Sequence, residues 1–475
     1  MRRETQQRYG SERVLVVGLG VSGGSVLRYL VREGADVVVT DSRAAPAGVE
    51  ALRAQYPQVE FRLGAFSAPQ PLSQFTMAVV SPGIALEEPF VRELAAAGVE
   101  IVGDIELFAR AVHAAPVSGV PPAVIGITGS NGKSTVTTLV GEMGRAAGMR
   151  VAVGGNLGTP ALDLLADDVQ LYVLELSSFQ LETTRSLRCA AATILNLSPD
   201  HLDRHGTMAR YGAAKARIFK GCAAAIVNRD DERVVALARE SGIGNRESQA
   251  LLSFGLGAPA STRGYGLIEQ NGQKWLAETI PESRFPIPVF AMAELKIFGL
   301  HNVANALAAL ALADAAGIPR EAALRALRGF TGLPHRCEFV AEILGVRYFN
   351  DSKGTNVGST LAALNGLPAP IVWLGGGQGK GQSFAELREP LACKGRAAVL
   401  FGEDAGRIEA DIAGALPVFR VPDLGAALHR ARELAQPGDQ VLLSPACASF
   451  DQFRNYIDRG DRFRAAVLAM AGGTA

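Results

Sequence analysis

Thr128-Gly129-Ser130-Asn131-Gly132-Lys133-Ser134 joins an apolar run at 123–127 to a helical pattern at 135–147. A turn of this composition can cradle a nucleoside triphosphate. Glycines let backbone N–H groups close around phosphate oxygens, and the positive end of the helix dipole faces them. Lys133 can reach the terminal phosphates and Ser134 can hold Mg²⁺, with Gly129, Ser130, Asn131, Gly132 and Thr135 around them. In the spacing G-x-x-x-x-G-K the first glycine would fall on Ile127; here the glycines stand at Gly126 and Gly129. The plainer reading is an ordinary strand-to-helix turn.

Other polar residues gather at the ends of apolar runs. Gly18-Leu19-Gly20-Val21-Ser22-Gly23 opens a helix, and Asp41 ends the next strand candidate, where an acid meets a ribose hydroxyl. The pattern suits a dinucleotide, any other nucleoside diphosphate, or a structural tight turn. Glu175 ends an apolar strand and could hold Mg²⁺ opposite the phosphate loop. Asn156, in a Gly-Gly-Asn turn, could bind substrate or adopt a left-handed conformation. His201 lies in Asn-Leu-Ser-Pro-Asp-His-Leu-Asp-Arg (196–204) and could ligate a metal or orient a proton. Lys215 falls inside the stripe Tyr211, Ala214, Ile218 and Phe219, opposite Arg210, Arg217 and Lys220. By pattern alone its stem packs and its ammonium snorkels out; a buried amine would instead lose its proton and could add CO₂ to become a carbamate. Gly299-Leu300-His301-Asn302-Val303-Ala304-Asn305 could contact nucleotide or cap a helix. Asn350 to Asn356 and Gly375 to Gly381 end two strands of the C-terminal part and together suggest an anionic substrate.

Holding these turns requires an α/β framework. Strand-like runs alternate with Ala/Leu-periodic helical runs, which predicts parallel sheets with crossover helices. The 475 residues suggest roughly three domains at about 100–200 residues each, with expected spans 1–103, 104–332 and 333–475. The Pro/Gly/Ser-rich stretch 116–122 reads as an exposed connection, and 255–296 as a small antiparallel appendage. Net charge is zero, so neither nucleic acid nor an anionic membrane is the expected partner. Five scattered cysteines suggest a reducing cytoplasm, and the apolar stretch 14–27 is too short and glycine-broken to span a bilayer.

In combination, Thr128 to Ser134, Leu174 to Glu182, the Asp200-His201 loop, Gly299 to Asn305, Gly332-Leu333-Pro334-His335-Arg336 and Asn350 to Asn356 closely resemble the ATP-dependent Mur ligases. Ser81-Pro82-Gly83-Ile84, Gly103-Asp104-Ile105-Glu106-Leu107-Phe108 and Leu443-Ser444-Pro445-Ala446-Cys447-Ala448-Ser449 point to the branch that adds D-glutamate. The resemblance implies a Rossmann-like first domain, a central P-loop ATPase-type domain and a Rossmann-like third domain. The first would bind UDP-MurNAc-L-alanine through Gly18, Gly20, Val21, Ser22, Gly23, Asp41, Ser42, Arg43, Ser81, Pro82 and Gly83. Asn156, Ser177 and Gln180 would position that substrate, and Asn302, Arg336 and Asp351 would contact ATP. Thr355, Lys380, Ser449 and Tyr456 would engage D-glutamate. Lys133, Glu175, His201 and Lys215 would be catalytic. Ser134, Glu175, His201 and a carbamylated Lys215 would hold two Mg²⁺ ions, so the resemblance reverses the reading of Lys215 taken from pattern alone. A cytoplasmic monomer without membrane anchor is expected. The competing readings are a sister ligase for another amino acid, a nicotinamide-dependent oxidoreductase taking the first motif literally, and a nucleotide-binding regulator.

Overall fold

A computed structural model of the chain describes residues 8–114, 121–243, 249–260, 263–283 and 285–472. The connection expected at 116–122 therefore lies mostly outside the described residues. Short apolar runs without polar alternation become strands covered on both faces, as parallel sheets require. The first sheet comprises β1 (Arg13–Val17), β2 (Asp36–Asp41), β3 (Glu60–Leu63), β4 (Met77–Val80) and β5 (Glu100–Val102). Its order is β3-β2-β1-β4-β5, all parallel, so the chain reverses direction across the sheet beside β1. A cleft forms at such a switch point, beyond the carboxyl ends of the strands.

The second sheet holds β6 (Ala123–Thr128), β7 (Val151–Gly155), β8 (Leu171–Glu175), β9 (Ala191–Ile194), β10 (Ala224–Asn228), β11 (Ala250–Phe254), β12 (Gly264–Gln270), β13 (Gln273–Thr279) and β14 (Ile287–Ala291). Its nine strands run in the order β14-β13-β12-β11-β10-β9-β6-β8-β7. The segment read as an antiparallel appendage does form antiparallel pairs, β12 with β13 and β13 with β14. It is not separate, however: β12 pairs in parallel with β11 and extends the main sheet. The third sheet, β15 (Glu338–Ile343), β16 (Val346–Asn350), β17 (Ile371–Gly376), β18 (Gly395–Phe401), β19 (Val418–Arg420) and β20 (Gln440–Leu443), runs β15-β16-β20-β17-β18-β19 with only β15 antiparallel.

Burial fixes where the polar turns sit. Leu171, Val173 and Leu174 of β8 are fully buried, each contributing about 1.5–3 kcal/mol, and they carry Glu175 to the sheet edge as the last strand residue. Phe108, on the helix Asp104–His113 that follows the first sheet, packs edge-on against Tyr172 of β8 with ring centroids 5.1 Å apart. The first and second sheets thus share one hydrophobic cluster. In the third unit Trp373 is fully buried and its indole N–H donates to Ser444 O at 2.8 Å, which pairs its one polar atom.

Candidate active site

The turn after β6 is shaped by two left-handed glycines, Gly129 (φ +151°) and Gly132 (φ +83°), and the helix Lys133–Ala146 begins at once. A β-carbon on Gly132 would lie 2.4 Å from Asn305 Oδ1. Gly126 has a different task. It lies inside β6, where a β-carbon would meet Cys189 Sγ at 2.9 Å, so it serves sheet packing and not the turn. The neighbouring strand end holds the turn open: Asn196 accepts from Ser130 N at 2.9 Å through its carbonyl and from Asn131 N at 2.8 Å through its side chain. Lys133 Nζ folds back onto Gly129 O and Ser130 O, at 3.0 and 2.9 Å. Burial lowers its pKa.

Glu175 is 4% exposed and bonds in two directions. Its Oε2 accepts from Ser134 Oγ at 2.5 Å, and its Oε1 accepts from Asn156 Nδ2 at 2.7 Å. Arg336, from beyond the central sheet, donates to the same Ser134 Oγ at 2.7 Å. In the turn after β7 it is Gly155 (φ +96°) that takes the left-handed conformation, which frees the Asn156 side chain to reach Glu175.

Lys215 lies on the helix Met208–Ala216 and is 2% exposed, so the ammonium does not snorkel out. Its Nζ donates to Gly129 O at 2.9 Å and Thr128 Oγ1 at 3.3 Å and sits 4.7 Å from the Tyr211 ring centroid. Those partners are neutral. Burial, with Lys133 nearby, holds the Lys215 pKa well below its ordinary value. Tyr211 in turn shares a hydrogen bond of 3.1 Å with Ser130 Oγ.

His201 is not gathered with these groups. It is half-exposed, takes φ +52°, and packs edge-on to Phe179 with Asp200 Oδ2 3.6 Å from its Nε2. Among the described residues no three His, Cys, Asp or Glu side chains converge to hold a metal. Buried His205 is tied instead to Ser178 Oγ at 2.9 Å and stacks on Phe179.

A cleft of about 590 Å³ runs from the first sheet to Asn156 and Gln180. All the residues expected at the UDP substrate border it except Gly23 and Ser177. Gly23 is needed for packing, since a β-carbon there would overlap Gly18 O at 1.9 Å. Ser177 caps the helix Ser178–Glu182: its Oγ accepts from Gln180 N, and Gln180 Oε1 accepts from Ser177 N. Asp41 accepts from Leu19 N at 2.6 Å and from the Arg43 guanidinium at 2.7 and 2.8 Å. The Arg43 bond leads in lowering its pKa to about 2. Asp41 therefore closes the glycine turn and is already paired.

A second cleft, of about 330 Å³, opens on the other side of the phosphate turn and is bordered by Asn131, Gly132, Thr135, Asn302, Arg336 and Asp351. Asn305 Nδ2 donates to Asn302 Oδ1, and Asn302 Nδ2 to Phe298 O, fixing both amides. Asp351 accepts from Cys337 N at 3.0 Å and Ser444 Oγ at 2.7 Å, and burial pushes its pKa up to about 7. Thr355, Lys380, Ser449 and Tyr456 border neither cleft. They gather at the carboxyl edge of the third sheet: Gln378 N donates to Ala448 O, joining the Lys380 and Ser449 segments, and Ser352 Oγ donates to Tyr456 O. Lys353 connects this group to the second cleft, bordering it with its ammonium 4.1 Å from the Tyr456 ring centroid. Lys353 and Asn196 are the groups that motif reading underrates. Both stand at strand ends, the signal that marked Glu175.

Three family models match in chain order: a "Mur ligase MurD-like, N-terminal domain" over 12–103, a "Mur ligase middle domain" over 127–313 and a "Mur ligase, glutamate ligase domain" over 335–447. The UDP-N-acetylmuramoylalanine--D-glutamate ligase of Pseudomonas aeruginosa is 51% identical over 461 residues, covering 96% of this chain and 98% of the relative. Its counterpart in Nitrosococcus oceani is 49% identical, covering 95% and 96%. The fold also matches the MurF ligase of Thermotoga maritima in complex with ADP (TM-score 0.58, 17% identity, 99% and 97% coverage). A second match is the UDP-N-acetylmuramate-alanine ligase MurC of the same organism (0.55, 18%, 96% and 99%). Sequence kinship over nearly the whole length agrees with the turns just described, and the chain belongs to the Mur ligase family.

Proposed function

We infer that this chain is the ADP-forming ligase that adds D-glutamate to UDP-N-acetylmuramoyl-L-alanine in peptidoglycan synthesis. One observation carries the site reading: the Glu175 carboxylate joins the two clefts, one oxygen on Asn156 at the edge of the first and the other on Ser134 of the phosphate turn. A substrate in the first cleft would end where a triphosphate in the second begins. The spans 1–103, 104–332 and 333–475 would then bind the UDP substrate, ATP and D-glutamate.

Amide formation in water needs an activated carboxylate. The alanine carboxylate oxygen attacks the γ-phosphorus of ATP, the bond to the β-phosphate oxygen breaks, and ADP leaves with that electron pair. Lys133, now on backbone carbonyls, would turn to the phosphates and stabilise the charge spreading over them. Arg336 would add a second cation from across the clefts. The neutral amine of D-glutamate then attacks the acylphosphate carbonyl; the tetrahedral intermediate expels phosphate and the nitrogen loses a proton. Mg²⁺ would supply further charge neutralisation, and the oxygen donors Ser134 and Glu175 fit a hard cation. Lys215, buried against neutral partners with a lowered pKa, fits carbamylation, which would add an anionic oxygen ligand. His201 would complete the set. Asp41, already paired with Arg43, is poorly disposed to the ribose role that a nicotinamide dehydrogenase would require. No helix among the described residues is long and apolar enough to cross a membrane; the enzyme would act on its nucleotide substrates as a cytoplasmic monomer. Phosphate release with UDP-MurNAc-L-alanine and a panel of amino acids tests the assignment. D-glutamate should elicit release; silence with D-glutamate and release with another amino acid would refute it.

A further inference from the structure

Asp104 opens the helix Asp104–His113 and is 2% exposed, yet it borders neither cleft. Its Oδ2 accepts from Gln180 Nε2 at 3.0 Å, across a sequence separation of 76 residues. The Ser22 side chain, from the first sheet's glycine turn, lies near enough to the same carboxyl to favour its charged form, while Asp104 Oδ1 is buried without a hydrogen-bond partner. Ser22 and Gln180 both border the first cleft, one on each wall. The carboxylate also fixes which way the Gln180 amide points: its nitrogen must face Asp104, so its oxygen faces the Ser177 N–H, as observed at 3.1 Å. The close approach is built in, because a β-carbon on the preceding Gly103 would lie 2.1 Å from Thr183 Oγ1. Glu106, two residues on, makes a contrasting contact. It accepts from the backbone N–H groups of Arg185 and Ser186 at 2.7 and 2.9 Å, fastening the same helix without touching a cleft side chain.

We propose that Asp104 is a positioning residue that holds Gln180 in register opposite Ser22, so that the wall beneath the reacting carboxylate of the substrate is fixed relative to the wall gripping its nucleotide end. The proposal rests on the reading of the first cleft as the UDP-substrate site. Asp104 acts through Gln180, and its loss should be felt by one substrate only. A hydrogen bond to a charged group is lost with Asp104→Leu, which should raise both the KM and the calorimetric Kd for UDP-MurNAc-L-alanine by about tenfold or more. The KM for ATP should stay within about twofold. Asp104→Asn keeps an acceptor for Gln180 and should recover most of the loss. Adding Gln180→Leu to Asp104→Leu should cost little more, because the bond is already gone. Glu106→Gln is the structural control, expected to lower the melting temperature without separating the two KM values.

Equal increases in both KM values, or independent, multiplying effects of Asp104→Leu and Gln180→Leu, would overturn the proposal. If Asp104→Leu does not fold, Gln180→Leu alone must show the same separation, and its absence is equally decisive. The calorimetric arm needs no turnover. A wild-type protein that binds UDP-MurNAc-L-alanine but forms no product with D-glutamate would sink the ligase assignment and leave this test intact. A normally active wild type with no Asp104–Gln180 coupling would sink only the positioning role.

Discussion

Lys133 and Lys215 donate to the same carbonyl, Gly129 O, at 3.0 and 2.9 Å. Burial is the leading cause that moves both pKa values down, and the Lys133 charge adds to it at Lys215. The penalty is relieved if Lys133 swings to a phosphate and Lys215 gives up its proton. Lys133→Ala should therefore cut acylphosphate formation by about 10²–10³-fold while calorimetric affinity for the UDP substrate stays near normal; equal loss of both would indicate misfolding. Lys215→Ala should lose most activity and regain part of it with acetate, which can supply the missing carboxylate in the vacated space. No regain, together with an unmodified Lys215 by intact mass, would count against the carbamate. Asp351 gives a prediction about stability. Its pKa is raised from 3.8 to about 7, with burial the leading cause, so between those values the folded chain holds a proton that the unfolded chain has released. Stability contributed by this group is present below 3.8 and declines as pH rises through that window. The melting temperature of Asp351→Asn relative to wild type should accordingly rise from pH 5 to pH 7.5, and a constant difference would refute the assignment.

At the scale of elements, the glycines divide by what surrounds them. Gly132 needs both its left-handed φ of +83° and the space beside Asn305, whereas Gly20 has an ordinary φ of −88° and open surroundings. Gly132→Ala should lose about 1 kcal/mol or more of stability and much nucleotide affinity. Gly20→Ala should keep its melting temperature and affect only UDP-substrate binding; thermal melts and calorimetry on both variants distinguish these outcomes. Much of this framework was legible in the sequence. An acid closing an apolar strand points to Glu175, and helical periodicity puts Lys215 in the apolar stripe, although pattern alone left its ammonium snorkelling out and only the family resemblance implied its burial. Local pattern failed where the decisive neighbour is distant. Composition suggested a small antiparallel appendage at 255–296, and the antiparallel pairs are there, but the parallel pairing of β12 with β11 that joins it to the main sheet was not legible. Nothing local tells that Gln180 meets Asp104, or that His201 packs against Phe179 while Ser134 bonds Glu175 and Lys133 and Lys215 share Gly129 O.

For the whole molecule, two kinds of contact join the central and third units. Close to the phosphate turn they are polar: Arg336 donates to Ser134 Oγ, and Ser359 Oγ donates to Asn131 Oδ1 at 2.7 Å. Farther out they are apolar or fixed: Phe298 packs against Phe339 and Phe349, with centroids 5.6 and 5.3 Å away, and His301 Nδ1 bonds Ala362 O at 3.0 Å. A triphosphate bound in the second cleft as proposed would compete for the polar set, drawing on the Ser134 hydroxyl and the arginine. The phenylalanine set meets no such competitor and can act as the pivot. Burial holds the His301 pKa down to about 4, so this fixed contact does not titrate at neutral pH. Phe298→Ala removes the ring shared by both partners and should cost up to about 3 kcal/mol, the low end for a buried phenylalanine. The third unit should then sample wider positions, seen as a larger radius of gyration by solution X-ray scattering without nucleotide. A non-hydrolysable ATP analogue should restore compactness, because Arg336 is untouched, while the KM values for ATP and D-glutamate rise together and that for the UDP substrate does not. If the variant scatters like wild type and all three KM values are unchanged, the pivot lies elsewhere.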